Sequence, residues 1–329
     1  MLNRVAVAFL LAAGAAVGFQ SAAFAQTEIK LTTFSGSTNV VAWAAIDKGF
    51  FEKEGLKVTA DKTNGSKEQQ KDIMDGKYQF ASTSFDNIVA YTEGEGADKF
   101  ADYDVVAIAG VHQGMTSVMA RPEIKSYQDI KGKAVAVDSA TSGYSTALYQ
   151  IIKDKSGLVQ DKDYKMAVVG GTRDRVKALK ENVAAAAVVS TPNDTQLIEE
   201  GYNRLGDVAV DLGAYQGSTF VVRKSYAKAN PKVVEGFVRA IVASNDFVFS
   251  NKAGTIEVLK KNLPELTDEG AAKIYDRLVG PGGLNKRAAI SVKGVENVLK
   301  LRSVYGGSKG APTDPKKYID VSYHEKATK

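Results

Sequence analysis

The chain contains no cysteine. This rules out a disulfide framework, a thiol nucleophile, a Cys-linked lipid anchor and any thiolate metal site. Histidine is nearly as scarce. His112 and His324 are the only two, and their separation matches no metal-ligand spacing. Neither accompanies a nucleophile on a strand-to-helix turn, as a Ser-His-Asp hydrolase requires. No metal, no cofactor and no catalytic residues are therefore expected. Basic blocks are also missing. The 43 Lys and Arg are interleaved with 38 Asp and Glu, for a net charge of +5, so nucleic acid is not an expected partner.

Long apolar runs are absent except at the start. Arg4 is the only charge before Glu28, Val5 to Phe19 is almost wholly apolar, and Ala23-Phe24-Ala25 offers small residues where a signal peptidase reads. The run falls short of the roughly 20 residues needed to cross a bilayer. Residues 1–25 thus read as a cleaved secretory signal. The mature chain, roughly 300 residues, suits two packed lobes better than one core. A chain of this length does not need disulfides when exported.

Strand and helix patterns then alternate, which predicts α/β lobes with mostly parallel sheets flanked by helices. Glu28–Phe34, Leu56–Thr63 and Tyr78–Phe85 read as strands, with helices over 40–48, 66–76 and 86–93. Asp104–Gly110 and Ser117–Ala120 read as further strands. Arg121-Pro122 breaks the pattern and a second set follows: strands at 134–137, 165–169 and 183–189, helices at 144–155, 173–181 and 192–200. Thr219–Arg223 reads as a strand returning to the first lobe, and the chain is helical from Pro231. The expected organisation is a first lobe over 26–121 and 217–329 and a second over 122–216. Two crossings, near 120–123 and 211–218, would form a hinge able to close. The polar tail after Gly306 is expected to be loosely held.

The run Asn39-Val-Val-Ala-Trp-Ala-Ala-Ile-Asp-Lys-Gly-Phe-Phe-Glu-Lys-Glu-Gly-Leu-Lys-Val58 resembles the first helix and second strand of ABC-transporter solute-binding proteins for sulfonates, taurine, nitrate and thiamine-precursor pyrimidines. Ile130–Val137, Val189–Gly201, Phe220–Arg223 and Asn230-Pro231 match further pieces of that family in order. The resemblance implies a two-lobed type II periplasmic-binding fold with a two-strand hinge. It implies a periplasmic, monomeric protein that hands a small-molecule ligand to a permease and ATPase in the inner membrane. The pyrimidine-synthesising relatives carry a Cys-rich iron motif, which this chain lacks.

In open α/β sheets ligands sit beyond the carboxyl ends of strands, where helix N-termini offer free N–H groups. Five such junctions are rich in small polar residues: Ser35-Gly36-Ser37-Thr38-Asn39, Ser82-Thr83-Ser84, Ser139-Ala140-Thr141-Ser142-Gly143, Gly170-Gly171-Thr172-Arg173 and Ser190-Thr191-Pro192-Asn193. Each residue set reads equally as N-caps or as ligand donors. Asp86 and Asp194 read as caps, and Asp138 as a cap or an acceptor for a ligand amine. Arg173 is the candidate for pairing an anion, against a solvated surface role. Trp43, Tyr144 and Tyr215 are candidate cleft walls and His112 a candidate cleft residue, each against a place in the core. An organic anion such as a sulfonate or carboxylate is the first expectation for the ligand. A pyrimidine-like heterocycle stacked on Trp43 or a Tyr is the second. A ligand sensor, or an enzyme on the same scaffold, is the rival reading.

Overall fold

The computed structural model describes residues 26–96, 98–306 and 312–329. The expected signal, 1–25, lies outside the described residues. The chain opens with β1 (Thr27–Thr33), then α1 (Val40–Asp47), α2 (Phe50–Lys53), β2 (Leu56–Lys62), α3 (Ser66–Met74), β3 (Phe80–Ser84), α4 (Phe85–Thr92) and β4 (Val105–His112). A second unit follows: β5 (Thr116–Ala120), β6 (Ala134–Val137), α5 (Gly143–Ser156), β7 (Lys165–Val168), α6 (Thr172–Lys180), β8 (Ala186–Ser190), α7 (Asn193–Glu199), β9 (Asn203–Asp207) and α8 (Val208–Asp211). The chain then returns through β10 (Ser218–Arg223) to α9 (Lys224–Ala229), α10 (Pro231–Ser250), α11 (Lys252–Asn262), α12 (Asp268–Val279), α13 (Val292–Tyr305) and α14 (Ser322–Ala327).

Two five-stranded sheets result, ordered β2-β1-β3-β10-β4 and β7-β6-β8-β5-β9. They share one topology. In each, four strands share one direction and the fourth in order is reversed. The reversed strand, β10 or β5, is the one that receives the chain from the other sheet. It enters from the end that faces the partner lobe, so it must run against its neighbours. Segments 113–115 and 208–217 carry the chain between the sheets.

Apolar patterning explains how these layers hold. α10 places Val234, Phe237, Val238 and Ile241 in the first core at helical spacing, with Pro231 pre-setting its first turn. The Phe237 ring stacks on Phe80 of β3 at 3.8 Å between centroids and on Phe51 of α2 at 5.1 Å. A second core runs through both lobes. It joins Ile88 and Val89 of α4 to Leu148 and Ile151 of α5 by way of Val295, Val298 and Leu299 of α13. A smaller cluster, including Leu179, Val189 and Leu197, covers the other face of the second sheet.

Three sequence expectations need correction. β5 pairs with β8 and β9 of the second sheet, so the chain crosses at 113–115, not near 120–123. All five β5 residues are buried, and such a strand has no local feature that selects one sheet over another. β9 is a strand that the sequence reading left out. Its residues, Asn-Arg-Leu-Gly-Asp, lack the β-branched side chains that mark strands. The tail, expected to be loosely held, packs back in part: Tyr318 is buried, and Ala107 bridges Ile319.

Candidate functional site

The carboxyl ends of β1, β3, β6 and β8, each followed by a helix, face one another across the lobe junction. β10 contributes its first residue there, because Ser218 pairs with Ser84 at the end of β3. The lobes touch. Ser37 Oγ of the first donates to the carbonyl of Thr191 of the second at 3.4 Å, while Tyr215 Oη, from the second crossing, donates to the carbonyl of Gly143 at 3.3 Å.

Two hydroxyls at this junction stand apart from the rest. Ser84 Oγ, from the first lobe, and Tyr144 Oη, from the second, are buried without a hydrogen bond of good geometry. Tyr144 Oη faces Ser218, with Arg175, Asp138 and Asp86 around it. Burial pushes the Tyr144 phenol up, so it remains a protonated donor. Leaving a buried polar group unpaired costs about 1–3 kcal/mol. Beside Tyr144 lies a narrow crevice, too tight to admit a water molecule, lined also by Asp138, Ser145, Arg175 and Val188.

The charges around this crevice are internally matched. Arg175 is buried and donates to the carbonyls of Val188 (2.8 Å) and Gly170 (3.1 Å) and to Thr172 Oγ1 (3.1 Å). It lies 3.6 Å from Asp138. Burial pulls its pKa down from the ordinary arginine value. Asp138 Oδ1 accepts from Ser142 Oγ (2.6 Å) and Ser145 Oγ (3.2 Å). Across the junction, Asp86 pairs with Arg302 of α13, both side chains 1 % exposed. Arg302 also reaches Glu95 at 3.0 Å.

The expected site residues divide into several groups. Ser35, Ser139, Thr141, Gly171 and Arg173 are exposed, while Gly36, Thr38 and Asn193 are half-buried. Arg173, the expected anion partner, thus faces solvent at the start of α6, and it is Arg175 that turns inward. Ser142 caps α5, accepting from the Ser145 N–H at 3.3 Å. Asn39 closes its own loop on the carbonyl of Phe34 at 2.6 Å. Thr83 Oγ1 accepts from Gln70 and Asn87 in a buried polar network. Ser82 is buried in β3, and Ser37 and Thr191 meet across the junction.

Trp43 takes the core place that its apolar helix face offered. It is 8 % exposed and packs in the first core, because six of the eight α1 residues are buried. His112 ends β4 at the first crossing. Its Nδ1 accepts the N–H groups of Gly114 and Met115, both at 3.1 Å. Burial lowers its pKa to about 4, so it is neutral and shapes the crossing turn. Tyr215 is buried in the second crossing, its ring 6.2 Å from that of Tyr144.

Sequence reading passed over Ser218, Arg175 and Arg277. For Arg175 a signal existed. It precedes the inward Leu179 by four residues, so it shares that face of α6. The roles of Ser218 and Arg277 depend on strand register and helix docking, which leave no local trace.

Two sheets of matching topology, joined by two short crossings with their helix N-termini opposed, define a type II periplasmic-binding fold. The profile of the NMT1/THI5-like family matches residues 38–253, and the chain belongs to that family. No curated protein sequence matches it. Among solved structures, the periplasmic nitrate-binding protein NrtA from Synechocystis PCC 6803 is 15% identical, with a TM-score of 0.76 over 92% of this chain and 88% of that one. The periplasmic aliphatic sulphonate-binding protein SsuA from Escherichia coli is 17% identical, with a TM-score of 0.67 over 84% of this chain and 86% of that one. The desulfurization enzyme DSZB shares the fold at 13% identity, with a TM-score of 0.65 over 91% of this chain and 99% of that one. At such identities the likeness shows the fold, and function has to be argued from the site.

Proposed function

We propose that this chain is the solute-binding subunit of an ABC importer. It captures a small polar ligand between its lobes and delivers it to a permease and ATPase in the inner membrane. The observation that carries this reading is the pair of buried, unpartnered hydroxyls, Ser84 Oγ and Tyr144 Oη, contributed by opposite lobes to one junction. A ligand that pairs with both would be held more tightly by the closed form than by an open one, and that difference drives closure. Binding fits better than catalysis, because His112 Nδ1 is occupied by backbone N–H groups in a crossing turn. Among the described residues no helix is long and apolar enough to cross a membrane, consistent with a periplasmic location after signal cleavage.

The proposed ligand is a small organic anion such as a sulfonate or carboxylate. Its oxygens would accept from the two hydroxyls and lie near the N-terminus of α5, where the helix dipole favours negative charge. Arg173 stands exposed at the start of α6 as a further cation. A polar heterocycle is the second reading, favoured by the half-buried Tyr144 ring beside Tyr215.

A thermal-shift panel of sulfonates, carboxylates, inorganic anions, amines and pyrimidines tests this. A ligand at 100 times its Kd should add about 2.7 kcal/mol of stability. A shift with sulfonates or carboxylates that is lost in Tyr144→Phe supports the anion reading. A shift confined to pyrimidines supports the second. Binding untouched by both Tyr144→Phe and Ser84→Ala removes this junction as the ligand seat.

A further inference from the structure

Arg277 sits near the end of α12, whose Ile274, Tyr275 and Leu278 are anchored in the core of the first lobe. Its guanidinium leaves that lobe. It donates from Nε to Thr191 Oγ1 at 3.0 Å, and from one terminal nitrogen to Ser117 Oγ at 3.0 Å and Asp207 at 2.6 Å. The same nitrogen lies 3.4 Å from Asp194. All four partners belong to the second lobe. Ser117 and Asp207 also face each other in register on β5 and β9, just beyond the two crossings. One side chain of the first lobe therefore grips both strands on which the second lobe turns. One turn earlier on α12, Lys273 reaches Glu199 at the end of α7 at 3.5 Å.

We infer that Arg277 is an interlobe clasp: it holds the two lobes together before any ligand arrives, and it sets how readily the junction opens. The inference rests on the two-lobed binding reading and concerns the regulation of that same site. What makes this a clasp that can release is the state of its partners afterwards. Asp194 is fully buried, yet without Arg277 it still accepts from Ser117 Oγ at 2.7 Å and from Arg204 at 3.1 Å. Asp207 still accepts from the N–H of Ala209 at 3.1 Å. Release exposes to water a guanidinium that is 19 % exposed in the closed arrangement, and the buried Asp194 keeps its pairing with Arg204. The Asp86–Arg302 pair is the opposite case. Both of its members are buried to 1 % exposure and both belong to the first lobe, so parting them would leave an uncompensated charge and lobe opening does not ask it of them.

A clasp of this kind raises the closed population of the unliganded protein. A ligand then meets lobes already near their bound arrangement, and the second lobe's hold on Arg277 becomes part of its affinity.

The test uses the unliganded full-length mature protein, so its result is independent of which ligand binds. Small-angle X-ray scattering and amide exchange are compared for the wild type, Arg277→Gln and Asp207→Asn. Arg277→Gln should enlarge the radius of gyration and speed exchange in 113–115 and 208–217 by roughly tenfold or more, as expected for losing a hydrogen-bonded charge pair. Asp207→Asn should move both readouts in the same direction by less. A role in fold stability alone would lower the melting temperature and leave the scattering curve unchanged. If Arg277→Gln and the wild type give the same scattering and the same exchange, the clasp is refuted. If Arg277→Gln loses its circular dichroism signal, Asp207→Asn decides by the same two readouts.

Discussion

Gly143, at the start of α5 in the second lobe, lies flush against the side chain of Asp86 on α4 of the first. A Cβ placed on Gly143 would sit 2.4 Å from Asp86 Cβ and 2.7 Å from its Cγ. The absence of a side chain at 143 is what lets the lobes meet. Asp86 cannot yield, because Arg302 holds it from the other side.

Gly143→Ala is therefore expected to wedge the lobes apart. In an ordinary helix the change would stabilise by up to about 1 kcal/mol. Here it should destabilise by about 1–3 kcal/mol, the cost of overpacking. Thermal melts give the sign, and scattering shows whether the radius of gyration grows. A gain in stability would mean that the two helix ends do not close on each other in solution.

Arg302→Met should cost about 3–5 kcal/mol in denaturant unfolding, because it leaves the Asp86 carboxylate buried and unpaired. Adding Asp86→Asn should recover a large part of that loss, since the charge to be buried is then gone. Simple addition of the two single effects would argue against a direct pair.

His112 predicts a pH dependence. Its folded pKa is about 4, depressed by burial, against about 6.5 in an unfolded chain. The folded state needs the neutral ring, whose Nδ1 accepts two N–H groups. The stabilisation is complete above about pH 6.5 and is lost as pH falls towards 4, by about 3 kcal/mol in total. Urea midpoints at pH 7 and pH 4.5 measure this. His112→Asn should be less stable at pH 7 and show a flatter slope across that interval.

The sequence made the alternation of strands and helices plain, because Gly49, Gly55, Gly76 and Gly201 punctuate strongly patterned segments and β4 and β8 are apolar runs. Which sheet a strand joins was not legible. Thr116–Ala120 is buried throughout, and only its pairing with β8 and β9 puts it in the second lobe. Some of the small polar residues at strand ends do meet at the lobe junction, as Ser37 and Thr191 do. They could not be sorted individually, since a cap such as Ser142 and an unpartnered hydroxyl such as Ser84 look alike in sequence. Arg173 and Arg175 share the first turn of α6, and only helix phase leaves the first in solvent and turns the second inward. Arg277 lies about 160 residues from Ser117 in the chain, and only the packed structure brings the two together.

Tyr144→Phe and Ser84→Ala separate function from stability. Neither hydroxyl has a hydrogen bond of good geometry, so removing either should leave the melting temperature unchanged or raise it slightly. Each should nevertheless weaken binding of an anionic ligand by about 1.5–3 kcal/mol. A marked fall in melting temperature without ligand would show that these groups serve the fold.

The most direct measurement is isothermal titration calorimetry of the wild type, Tyr144→Phe and Ser84→Ala against whichever sulfonate or carboxylate gives the largest thermal shift. A ligand seated between the lobes predicts one site per chain, with affinity reduced roughly tenfold or more by each substitution. Equal affinities for all three proteins would contradict a seat shared by Ser84 of one lobe and Tyr144 of the other.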